Sequence, residues 1–150
     1  SAGLRDELLS YGVSQISAES RTSPGGYSAG NHNQDYSAQF STGDHRSLDE
    51  IVLALIEKGF IPSFCAACYR KERTGEAFMR LAKPGLIKGK CNLNALITLR
   101  EYLDDFALLG TKKSGQELIN NLNCKLNEKD KEVLQEIFEH VENGLRDEFV

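Results

Sequence analysis

The sequence predicts a mainly α chain, a helical domain preceded by the tail of an α/β unit whose beginning is missing. Three observations carry this. Two Ser-x-x-Glu capping boxes, Ser47 with Glu50 and Ser114 with Glu117, open helices in the second two-thirds of the chain. Apolar residues downstream of Ser47 keep helical spacing. Upstream, one β-rich run, VSQISA at residues 13–18, follows a helical stretch directly, as in a β-α-β repeat cut part-way.

Residues 3–11 place Leu4, Leu8 and Leu9 at helical spacing, and Gly12 follows as the stop. Residues 13–18 are the one strand expected. A single strand leaves both edges unpaired, so it predicts either a larger sheet or association between copies of the chain. A long polar connection rich in glycine and serine runs from there to residue 46, the composition of a functional loop or a linker. Two regions result, residues 1–46 and residues 47–150.

In the second region the Ser47 box opens a helix to about Lys58, stopped by Gly59. A helix near residues 74–82 ends before Pro84 and Gly85. Asn92 is the expected cap of a longer helix carrying Leu93, Leu96, Ile97, Leu99, Leu103 and Phe106, closed by Gly110. The Ser114 box opens the next helix, to about Cys124. Asn127 caps the last, with Val133, Leu134, Ile137, Phe138 and Val141 on one side and Gly144 as its stop.

Composition narrows the function. Hydrophobic residues at 40% and charged ones at 27% describe a globular chain. The longest apolar runs, such as residues 51–56, fall far short of the roughly 20 residues that span a bilayer. The opening SAGLRDELLS has neither the basic nor the apolar part of a secretory signal. A net charge of −4 gives no reason to expect nucleic acid; Lys83, Lys88 and Lys90 form a local basic stretch of the kind that solvates a loop. Four cysteines are too few for a disulfide framework, and they point to a cytoplasmic, reducing setting and to metal or redox roles.

Three of them form C-x2-C-x22-C: Cys65 and Cys68 in FCAACYR, then Cys91 in KGKCN. Two thiolates on one tight loop can bind the same metal or cluster, and the small alanines let amide N–H groups approach the sulfurs. Cys91 stands at an expected helix start, where the dipole favours a thiolate, with Lys88 and Lys90 adding positive charge. Spacing leaves zinc and iron–sulfur both open. Structural zinc needs a fourth ligand, from Cys124, His32, His45 or His140, although Cys124 reads as a small core residue. A [4Fe–4S] cluster on three cysteines leaves one iron open to a non-protein ligand.

The run FCAACYRKERTGEAFMRLAKPGLIKGKCNLNALITLREYLDDFA resembles the C-terminal region of the tyrosine-cleaving radical S-adenosylmethionine maturases of [FeFe]-hydrogenase. Upstream, GVSQISAESRTSPGGY is similar to the last barrel strand and following loop of that family and of the related thiamine-pathway tyrosine lyase, 2-iminoacetate synthase. The resemblance implies that residues 1–46 are the last helix, strand and loop of a TIM-type radical SAM barrel, and that residues 47–150 are a helical cluster-binding domain. It implies an auxiliary [4Fe–4S] cluster on Cys65, Cys68 and Cys91, with free cysteine or Fe–CO–CN species on its open iron. The whole enzyme is implied to cleave L-tyrosine to p-cresol and to make carbon monoxide and cyanide for an Fe(CO)2(CN) synthon used in H-cluster assembly, alongside other hydrogenase maturases.

The family's S-adenosylmethionine and second [4Fe–4S] cluster belong to a C-x3-C-x2-C motif that this sequence lacks, its remaining cysteine being Cys124. By itself the chain is therefore expected not to cleave tyrosine. Arg21 follows the expected strand, where barrel strands present active-site groups, and a guanidinium there can clamp a substrate carboxylate. Ser17, Ser20 and Thr22 are candidate supporting donors. The alternative function is a non-enzymatic zinc-binding helical module.

Overall fold

A computed structural model describes residues 1–24, 26–27 and 40–150. Among them seven helices form, in the order α1 (Ala2–Ser10), α2 (Leu48–Glu57), α3 (Ala67–Arg70), α4 (Gly75–Ala82), α5 (Lys88–Asp105), α6 (Leu109–Asn123) and α7 (Glu128–Glu142). The chain is mainly α, as predicted. No helix among the described residues is long and apolar enough to cross a membrane.

The core lies where α6 packs between α2 and α5, and α5 in turn packs on α7. Val52 and Ile56 from α2 meet Leu96, Ile97, Leu99, Tyr102 and Leu103 from α5, Ile119 from α6, and Leu134, Ile137 and Val141 from α7. These side chains are withdrawn from water, the main favourable term of folding. Glycine 115 shows how tight the α5–α6 crossing is: a Cβ there would stand 2.6 Å from both methyl carbons of Leu103.

Local signals set several boundaries as expected. Ser47 and Glu50 close a full capping box, the Ser47 amide donating to Glu50 Oε2 at 2.7 Å and the Glu50 amide to Ser47 Oγ at 3.2 Å. Asn127 Oδ1 accepts from the Asp130 amide at 2.9 Å. Gly12, Gly59 and Gly144 follow α1, α2 and α7 with positive φ, which suits a residue without Cβ.

Other expectations are corrected. Residues 13–18 form no strand, because no neighbouring strand is present among the described residues. Backbone polar groups at both ends of the run turn to α1 instead. The Val13 amide donates to Leu8 O, and Ser17 O accepts from the Arg5 guanidinium. Asn92 caps nothing: α5 begins a turn earlier, because Ile87 is buried and its carbonyl accepts the Cys91 amide at 2.9 Å. Gly110 and Ser114 both lie inside α6, which starts at Leu109. The long-range cause is Asp49 of α2, which accepts the Leu108 amide at 3.2 Å and so caps α6 from another helix.

The first eighteen residues join the bundle by charge. No residue of α1 is buried. Asp44, which is buried, takes Arg5 Nη1 at 2.6 Å and Arg46 Nη2 at 2.7 Å, and Arg46 reaches Asp6 at 2.7 Å.

Candidate metal centre

One face of α5 organises the cysteine region. Cys91, Asn94, Thr98 and Tyr102 are spaced three and four residues apart, so they line one side of the helix. The loop that carries the first two cysteines is moored there by Phe64. Its amide donates to Thr98 Oγ1 at 3.2 Å, and its ring stacks on Tyr102 with centroids 5.2 Å apart. Cys65 follows at once.

The Cys-Ala-Ala-Cys loop then turns tightly, as its alanines allow. Ala67 is 3% exposed, so a larger residue has no space there. Its amide points at Cys65 Sγ, 3.4 Å away. α3 lasts one turn to Arg70, and two residues on Glu72 takes a left-handed φ of 54° and sends the chain back. The return brings the Arg73 amide onto Cys68 O at 2.8 Å.

All four cysteines are free thiols. Burial pushes the Cys91 thiol up, the neighbouring Cys68 and Cys65 push it further, and Arg73 partly offsets them. Among the described residues no three His, Cys, Asp or Glu side chains are drawn into a ligand-ready group. The donor set still suits a thiophilic metal or an iron–sulfur cluster. Three soft sulfurs are free of disulfides, those of Cys65 and Cys91 on exposed residues and that of Cys68 on a half-buried one, and a backbone N–H is aimed at Cys65 Sγ.

Arg73 and Asn94 are the contributors that spacing did not flag. Arg73 Nε is buried and without a hydrogen-bond partner among the described residues. Its position depends on the reversal at Glu72, for which a lone glutamate gives no signal. A polar residue on the apolar run of α5 was the available hint for Asn94. Lys88 and Lys90, expected to supply the positive charge, lie in the first turn of α5, and Arg73 adds a cation whose charge favours the Cys91 thiolate.

The other sites separate from this cluster. Cys124, expected as a small core residue, is exposed instead, because α6 ends at Asn123 and leaves Cys124 at its C-terminal cap. His140 faces Glu148 at 3.3 Å and His45 faces Thr42 at 3.3 Å. His32 lies outside the described residues. The Arg21 amide donates to Tyr27 Oη at 2.8 Å, and Thr22 Oγ1 donates to Phe40 O at 2.6 Å. Ser17 lies against Arg5, and Ser20 O accepts from Thr42 Oγ1 at 3.4 Å.

No family model and no curated protein matches the chain. Among solved structures it matches the crystal structure of HydG, a maturase of the [FeFe]-hydrogenase, at 40% identity and a TM-score of 0.88. The match covers 99% of this chain and 32% of that one, so this chain spans about a third of the length of the structure it resembles.

Proposed function

We propose, for a chain that is the counterpart of one segment of the [FeFe]-hydrogenase maturase HydG, that it is the auxiliary-cluster region of such an enzyme. Cys65, Cys68 and Cys91 would hold a [4Fe–4S] cluster. The observation that carries this reading is the match that extends over nearly the whole chain, with the three cysteines of C-x2-C-x22-C free of disulfides inside it. When bound, the cluster supplies one iron without a protein thiolate, free to take an exogenous ligand.

The chain's own residues do the holding. Phe64 fixes the loop on α5, Ala67 leaves room for the turn, the Ala67 amide faces Cys65, and Arg73 offsets the negative charge that three thiolates would gather. In the same reading the whole protein cleaves L-tyrosine with S-adenosylmethionine in a cytoplasmic, reducing setting. Its products would serve H-cluster assembly with the other maturases, and the open iron would be available to free cysteine or an Fe–CO–CN species. Arg21, Ser17 and Thr22 stand on the substrate side.

Anaerobic reconstitution with ferrous iron and sulfide tests the reading. The expected result is brown protein with about four irons per chain. Cys65→Ser, Cys68→Ser or Cys91→Ser should remove most of it, and Cys124→Ser should not. Colourless protein holding one zinc, or equal loss in Cys124→Ser, would overturn it. Sedimentation of the same samples reads whether copies of the chain associate.

A further inference from the structure

Residues 145–150 fold back from α7 across the cysteine region and touch both elements that carry the thiols. The return is made at Asp147, which takes a left-handed φ of 65°. Just before it, Arg146 is fixed to Asp105 at the end of α5, with Nη2–Oδ1 2.6 Å and Nε–Oδ2 2.7 Å. Asp147 then reaches Arg70 of α3 at 3.0 Å, and Lys71 Nζ sits over the Phe149 ring, 4.9 Å from its centroid. Arg70 lies two residues from Cys68.

The segment finishes on α5. The Val150 amide donates to Asn94 Oδ1 at 2.9 Å, and Asn94 Nδ2 faces Val150 O at 3.5 Å. Asn94 is 4% exposed, so its amide depends on this backbone partner. It also stands three residues after Cys91, on the same helix face. One short strip thus ties the neighbourhood of Cys68 to the neighbourhood of Cys91.

We propose that residues 146–150 are a positioning strap that registers α3 against the start of α5 and so sets the separation of Cys68 from Cys91. The residues that do this are Arg70, Asn94 and Asp147; none of them is a ligand. The strap matters to metal binding only through the reading of the preceding subsection, on which that part rests. Phe64 moors the front of the cysteine loop to α5, and the strap holds the back of it.

A charge exchange tests this, because the Arg70–Asp147 pair is exposed and its reversal spares the core. Arg70→Asp and Asp147→Arg are made singly and together. Cadmium ion titrates the metal-free chain. In a Cys65→Ser, Cys124→Ser background, a short bifunctional maleimide bridges Cys68 and Cys91, with circular dichroism as the fold control. Each single reversal should weaken cadmium binding by about threefold, the scale of an exposed ion pair, and the exchange should restore it.

Asn94→Ala, with its helix content retained, should weaken binding by about tenfold, from loss of the hydrogen bonds to a buried amide. The yield of the bridged product should fall in the same order. If the single reversals leave both readouts unchanged, or the exchange fails to restore them, the strap is overturned. If the unaltered chain binds no cadmium, the cluster reading falls, and the bridging yield alone decides the strap.

Discussion

Thr111 Oγ1 donates to Asp49 Oδ2 over 2.7 Å, joining the first turn of α6 to the first turn of α2. Thr111 is 1% exposed, and the same carboxylate also accepts from the Leu108 amide and from Tyr102 Oη at 3.1 Å. Asp49 therefore satisfies three donors at the centre of the helix contacts. Asp49→Ala strands a buried hydroxyl and an uncapped helix start, and should cost about 2–4 kcal/mol in denaturant unfolding. Asp49→Asn, which keeps one acceptor oxygen, should cost about half as much.

Two glycines of α6 should respond to alanine with opposite signs. At Gly115 a Cβ would stand 2.6 Å from the Leu103 methyls in the core, and overpacking costs about 1–3 kcal/mol. That outweighs the helix-propensity gain of about 1 kcal/mol, so Gly115→Ala should lower the unfolding midpoint. Gly110 has no atom within 4 Å of the same position, so Gly110→Ala should raise the midpoint, by a stability gain of up to about 1 kcal/mol. Thermal unfolding of the two variants side by side measures the contrast.

Acid should release the first eighteen residues. The Arg46 guanidinium, with Arg5 beside it, holds the Asp44 carboxyl well below the usual carboxylate range. A carboxyl depressed in the folded state stabilises above its unfolded value of 3.8, and that contribution is lost as pH falls below it. Since α1 buries no residue, the ion pairs from Arg5 and Asp6 to Asp44 and Arg46 help to hold it. Hydrogen-exchange protection of residues 1–18, relative to the intrinsic rate at each pH, should fall on acidification before that of α5 and α7 does. Asp44→Asn should exchange fast there at neutral pH already.

Whether a boundary could be read from sequence depended on how far away its cause lay. The caps at Ser47 and Asn127 and the stop at Gly144 are made by residues within one turn, and they appear where the local pattern puts them. The Ser114 box is equally good locally, yet α6 starts at Leu109 because Asp49, far away in sequence, captures that end. Asn92 lost its cap to the burial of Ile87 for the same kind of reason. Residues 13–18 have strand composition, but a ladder needs a partner that composition cannot provide. At the site, the cysteine spacing was plain. Arg73 and Asn94 were not, since each depends on a chain reversal at a non-glycine residue, Glu72 or Asp147.

Alkali should loosen the bundle through Tyr102. Its ring is 6% exposed, and burial, followed by the hydrogen bond to Asp49 and that carboxylate's charge, pushes the phenol from 10.0 up to about 12. The folded state thus keeps the proton over a range where the unfolded chain has already released it. Stability from this source is complete below pH 10 and declines from there towards about 12. Tyr102→Phe should flatten that alkaline decline in denaturant midpoints, at the cost of the hydroxyl's bond to Asp49. The stacked Phe64 gives the effect a second readout. If Tyr102 ionises by opening its contact with Phe64, thiol-reagent labelling of Cys65 should rise with pH more steeply in the unaltered chain than in Tyr102→Phe. Equal pH profiles in the two proteins would show that the alkaline transition begins elsewhere.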